Sequence, residues 1–301
     1  MALRVTSNMM SNQVLRNLNR NLNKMSEQQN QLSTGRKINK PSDDPVGVTY
    51  ALRYRSELSA NDQYQKNVDT ALSWLDMTDT SMSQAESIME RLKELTVKAS
   101  SGTNPQNALD SISAEIQQLK VQLSDIGNSQ INGKYIFNGQ TYDIKPYNSI
   151  DPASVVTDPG SVEYAVGQGI LFQINTTGNE FFGNNGEQDN VFSIIDRLTT
   201  AMSGTSSSNF DDIAKELSNI DSRTNKMLAV HAETGARTNR VELMESRLYN
   251  EEYSLTELQT KTEDADIADL TIKASVSSNI YQASLAAGAK IITPTLIDFI
   301  R

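Results

Sequence analysis

Few residues in this chain could do chemistry, and their types and spacing restrict it further. The single histidine, His231, falls on a helical stripe between Met227 and Thr234. A nucleophile–base pair would need a partner for it. With no cysteine in the chain, neither a thiol nucleophile nor a zinc site with several His or Cys ligands can be assembled. Two acidic clusters, Asp43-Asp44 and Glu263-Asp264 with Asp266, could serve acid–base work or hold a hard cation. Both fall at expected helix starts, where carboxylates complement the helix dipole, so capping is the expected role. Gly167-x-Gly169 lacks the strand-then-helix context of a phosphate loop. Gly183-Asn-Asn-Gly186 with Asp189 could ring a calcium ion, but the spacing misses the helix–loop–helix calcium pattern and reads as a turn. No catalytic, metal or cofactor site is expected.

The elements that would position these residues are mostly helices. Leu15, Leu18, Leu22, Met25, Gln29 and Leu32 are spaced by alternating threes and fours, and the spacing predicts a helix over 8–34 stopped by Gly35. Near the other end Ile267, Leu270, Ala274, Ser277, Tyr281, Ser284, Gly288 and Ile291 follow the same rule over 265–292. Between them, helices are predicted over 46–100, 106–129, from Val191 to a break at 204–208, and over 211–260. Pro45 should sit in the first turn of the second helix with Asp44 as its N-cap. Asn132-Gly133 and Asn138-Gly139 flank Lys134-Tyr135-Ile136-Phe137 and predict a β-hairpin. From 141 to 188 the period drops to two, as in Val162, Tyr164 and Val166, which predicts four to six short strands. The class is mainly α with a small β insert: an elongated helical bundle with terminal coiled-coil helices, a hairpin and a β-rich outer domain. The expected division is 1–42 plus 262–301 as a terminal domain ordered on assembly. Residues 43–140 plus 190–261 would form the bundle, and 141–189 the outer domain.

Bulk composition agrees. Of 301 residues only 37% are hydrophobic and 6% aromatic, lean for one compact core. A net charge of −10 argues against nucleic acid as a partner, and no apolar run is long enough for a membrane span. The absence of cysteine suits a chain passed unfolded through a channel. An enzyme carried on a helical stalk would need its chemistry in the insert, which offers acids such as Asp143 and Glu163 but no histidine or cysteine.

The narrow terminal stripes read as surfaces for neighbours, and two motifs beside them carry a resemblance. Gln28 through Gly47, read as QQNQLSTGRKINKPSDDPVG, resembles the N-terminal signature of bacterial flagellin and its relatives. Glu263-Asp264-Ala265-Asp266-Ile267-Ala268, Tyr281-Gln282-Ala283-Ser284-Leu285 and Leu296-Ile297-Asp298-Phe299-Ile300 resemble its C-terminal counterpart. Flagellin itself usually has Asp-Asp-Ala-Ala-Gly where this chain has Asp43-Asp44-Pro45-Val46-Gly47. The form here, with Tyr135 to Gly139 and Pro146-Tyr147, is more similar to family members that join hook to filament. The resemblance implies a structural protein of the flagellum, exported by the type III route. Its implied partners are copies of itself in a ring, the first hook-associated protein, flagellin and an export chaperone, with neither nucleic acid nor membrane. The implied assembly residues are Leu15, Leu18, Leu22, Met25, Leu32, Ile267, Leu270, Ala274, Tyr281, Leu285, Ile291, Leu296 and Phe299. Pro41, Asp43, Asp44 and Pro45 form the family turn.

Overall fold

The computed structural model describes residues 7–101, 104–147, 152–203 and 209–291. The expected break at 204–208, together with Leu296 and Phe299, lies outside them.

Helix α1 spans Ser7–Thr34 and α2 spans Pro45–Ala99. Gly35 ends α1 at φ +69°, a left-handed position that costs glycine nothing. Helix α3, Gln106–Gly127, leads into a hairpin of β1, Gln130–Ile131, and β2, Lys134–Tyr135. Its turn places Asn132 at φ +51° and Gly133 at +78°, the paired positive values that match strand twist.

The insert departs from expectation. Among the described residues of 141–189 there are two strands, not four to six: β3, Glu163–Gly167, pairs antiparallel with β4, Ile170–Gln173. A single 3-10 turn occupies Pro152–Ser154. Gly178–Phe182 forms a short helix, α4, because Thr177 accepts from the Glu180 amide while the Glu180 carboxylate accepts from the Thr177 amide. Its two aromatic residues join a cluster of Phe137, Tyr147, Phe181, Phe182 and Phe192 with ring centroids 5.0–5.9 Å apart. Burial there pushes the Tyr147 hydroxyl pKa up.

Helices α5, Val191–Met202, α6, Asn209–Glu263, and α7, Ile267–Ile291, complete the chain. Contacts divide it into two units, one from residues 61–251 and one from 1–60 with 252–301. In the first, α2 buries Val68, Ala71, Leu75, Thr78, Met82, Ala85, Met89, Leu92 and Thr96, an unbroken alternation of threes and fours. Helix α6 buries Ile213, Ile220, Met227, Thr234, Val241 and Leu248 at strict seven-residue intervals. The insert's Phe172, Ile174, Phe181 and Phe182 belong to the same core.

The second unit pairs α1 with α7 and closes through a short bridge. Arg36 and Asp264 form an antiparallel β-bridge, Lys37 N–H donates to the Glu263 carbonyl at 2.7 Å, and Ala265 N–H donates to the Gly35 carbonyl at 3.0 Å.

Candidate assembly interface

The family turn is held by its own acids. Asp43 Oδ2 accepts from the amides of Asn39 (3.0 Å) and Lys40 (2.8 Å). Asp44 Oδ1 accepts from those of Val46 (3.1 Å) and Gly47 (3.0 Å), capping α2 as its sequence position requires, with Pro45 in the first turn. These carboxylates are engaged by backbone. A Cβ on Gly47 would stand 2.4 Å from Asp44 Oδ2 and 2.6 Å from Ile38 Cδ1, so the cap fits only against glycine. Asp44→Ala should lower stability by about 1 kcal/mol, read as the shift in urea midpoint at unchanged slope.

Glu263 corrects an expectation. Asp266 does cap α7, accepting from the Ala268 and Asp269 amides at 3.0 and 3.1 Å. Glu263 instead ends α6 with its carboxylate buried, receiving Arg55 Nη2 at 2.6 Å. Arg36 Nε lies 3.8 Å away. A charge placed there binds Arg55 of α2 and Arg36, two residues past α1, to the end of α6.

His231 is structural. Its Nε2 lies 2.8 Å from Asp79 and its Nδ1 2.9 Å from Glu86, joining α6 to α2. Partial burial pulls the imidazole pKa down, but the hydrogen bonds that the ring donates to the Asp79 and Glu86 carboxylates, then their charges, outweigh it and the pKa is raised. The stabilisation is then full below the ordinary histidine value of about 6.5 and is lost as pH rises through the raised folded value. Denaturation midpoints measured from pH 5 to pH 9 should fall across that window, and His231→Gln should flatten the step.

On the terminal pair α1 has a covered row of Ser11, Val14, Leu18, Asn21, Met25, Gln28 and Leu32, again alternating threes and fours, with Gln31 partly covered beside it. The matching row on α7 is Leu270, Ala274, Ser277, Tyr281, Ser284 and Gly288, with Ser278 partly covered beside it. Asn21 Nδ2 donates to Ser284 Oγ at 3.1 Å, and Val14 Cγ1 lies where a Cβ on Gly288 would meet it at 3.1 Å. Of the residues expected from sequence, Leu18, Met25, Leu32, Leu270, Ala274 and Tyr281 are covered, while Leu15, Leu22, Ile267 and Leu285 stay exposed. The α1 seam is rotated from a leucine-only reading because Asn21 and Gln28 occupy covered positions. The side chain of Ile291 is not among those described.

A second apolar row was not anticipated. Ile272 (65% exposed), Val276 (49%) and Ile280 (49%) follow one another at intervals of four on α7, continued by exposed Ala283 and Ala287. At 100° per residue this row lies far round the helix from the seam. Helix α7 is therefore apolar on two sides and α1 covers one of them. A helix apolar all round is normally buried all round.

Residues 5–141 match the bacterial flagellin N-terminal helical region. Over that region, somewhat under half of its length, the chain is similar to the bacterial flagellins. The family is one of structural flagellar proteins, not of enzymes. Flagellar hook-associated protein 3 of Escherichia coli K12 is 24% identical over 97% of this chain and 96% of its own length. A flagellin of Clostridium tyrobutyricum is 25% identical, over 67% of this chain but only 49% of its own length. In fold, the chain is similar to the flagellar junction protein FlgL of Legionella pneumophila, with a TM-score of 0.56 and 18% identity over 73% of this chain and 100% of that one. Among the described residues no helix is long and apolar enough to cross a membrane.

Proposed function

We propose that this chain joins hook to filament in the bacterial flagellum, in the manner of a hook-associated protein 3. The observation that carries the reading is the end-to-end correspondence with that relative, 97% of one chain against 96% of the other, where the flagellin is matched over half its length. The chain ends supply the adhesive. The seam between α1 and α7 holds few large side chains and several amides, so the pair is marginal by itself. Its outer row of Ile272, Val276 and Ile280 is covered when copies meet. Each aliphatic side chain buried adds roughly 1.5–3 kcal/mol, and a ring repeats that gain at every subunit, enough to offset the ordering of the termini.

In this reading the terminal domain comprises 1–42 and 262–301, the bundle 43–140 and 190–261, and the outer part 141–189. The partners are copies of the chain in a ring, the first hook-associated protein on one side, flagellin on the other, and an export chaperone before assembly. Export follows the type III route. Leu15, Leu22, Ile267 and Leu285, exposed beside the seam, meet neighbours together with Leu296 and Phe299. The alternative is a filament subunit. Labelled antibody on isolated flagella separates the two: a few copies at the base of each filament support the junction, and label along the filament's length overturns it.

A further inference from the structure

Charge is divided unevenly along the chain. Residues 1–40 hold seven of the 27 basic residues and one of the 37 acids, a net of +6, which leaves −16 on the other 261. Within α1 the basic groups are ordered. Arg16, Arg20 and Lys24 stand at intervals of four and are all exposed, on the side away from the seam with α7. Asn12, Asn19 and Asn23 flank them, so this face offers hydrogen-bond donors and almost no apolar surface. Like charges at i and i+4 cost helix stability, and α1 is already poor in helix formers. Nothing within α1 balances the row except Glu27.

The complementary feature lies on α2. Asp69, Asp76 and Glu90 are exposed along one line of the helix, at spacings of seven and fourteen, with small polar Ser73, Thr80, Ser83 and Ser87 beside them. Asp69 and Asp76 are about 10.5 Å apart along the axis and Glu90 about 21 Å further on, while Arg16 and Lys24 are about 12 Å apart, so the basic row matches the first two acids. Long flexible basic side chains span that difference. The small residues leave the carboxylates open to an approaching helix.

We propose that the donor face of α1 docks on the acidic row of α2 in a second copy of the chain, Arg16, Arg20 and Lys24 against Asp69 and Asp76. The inference rests on copies assembling with one another and adds which faces meet and in what polarity. Where the two copies do not exchange these faces reciprocally, the contact is heterologous, head to tail, and propagates around a ring. Charge pairs at such a rim set encounter rate and register more than affinity, and salt screens them.

The test uses the full chain in solution, with self-association followed by sedimentation velocity at rising protein concentration and from 0.05 to 0.5 M NaCl. Arg16→Glu/Arg20→Glu/Lys24→Glu should weaken association at least tenfold at low salt, as should Asp69→Lys/Asp76→Lys. Circular dichroism should show helix content unchanged in both. Mixing the two variants should restore association, because each supplies the face the other lacks. Two results overturn the proposal: association that both variants retain, or mixed variants that fail to recover. Binding of the unaltered chain, but not the basic-face variant, to phosphatidylserine vesicles without association between copies also overturns it, assigning the face to an anionic lipid surface. The antibody count at the filament base does not depend on these charges, so either idea can fail alone.

Discussion

Replacing Arg223 with alanine is expected to cost about 3–5 kcal/mol, the range for removing one partner of a buried ion pair. Arg223 is 1% exposed, the largest side chain so fully enclosed among the described residues, and its guanidinium is the hub of the 183–190 loop. Nη2 reaches Glu187 Oε2 and Asp189 Oδ1, both at 2.7 Å, and Nε donates to the Asp189 carbonyl at 2.8 Å. Lys226 and Ser222 engage the other Asp189 oxygen at 2.8 and 3.1 Å. Desolvation would raise the Asp189 pKa, yet these donors and charges outweigh it and hold the pKa below the usual carboxylate value. Gly183, at φ +102°, lets the backbone close over the guanidinium: a Cβ there would stand 2.6 Å from Nη2. Without the arginine, Asp189 stays buried with less compensation and the loop loses its anchor to α6. A transition lowered by roughly 10 °C is the calorimetric signature for a unit of this size. Arg223→Lys should fall between the two, since it keeps the charge and loses the planar fork. A transition unmoved by the alanine change would show that the loop holds without its hub.

Local pattern carried most of the architecture. The three-four alternation in α2 and α3 survives as burial, Asp44 and Pro45 open α2, and Asn132-Gly133 makes the hairpin turn. Each of these is decided by residues within a turn or two of one another. Missed features depend on distant partners. Arg223 sits on α6 among polar neighbours and looks like an exposed residue until Glu187 and Asp189, some 35 positions earlier, fold back on it. The loop that resembled a weak calcium ring is closed instead by a guanidinium. Helix α4 is too short for periodicity to register, and adjacent Phe181 and Phe182 suit a strand as well as a helix; the Thr177–Glu180 capping box was its legible signal. On α1 the eye follows leucine, whereas Asn21 and Gln28 take covered positions and leave Leu15 and Leu22 outside. Polar residues in a seam cost stability and fix register, a trade suited to a pair completed by neighbours.

Placing aspartate at both Val276 and Ile280 is expected to abolish filament attachment while leaving the folded subunit intact. Both residues are half-exposed on the side of α7 away from α1, so a charge there meets water in the free chain and should move the thermal transition little. In an assembly that covers the row, each aspartate must be desolvated with no cation built to receive it. The nearest basic group in sequence, Lys273, already pairs with Asp269 at 2.5 Å. Burying an unpaired carboxylate costs several kcal/mol, more than the roughly 1.5–3 kcal/mol that a covered aliphatic side chain contributes, and every subunit in a ring incurs it. Assembly should therefore fail outright, not weaken in proportion. Val276→Leu, which keeps the row apolar, should support attachment. The measurement is filament number per cell, by electron microscopy, in a strain whose own copy is deleted, with the secreted subunit quantified in the medium. A variant that is exported, folded and unable to hold filaments places the outer face of α7 inside the junction. Normal filaments from the double aspartate chain would leave that face outside any contact, and the helix's two apolar sides would need another explanation.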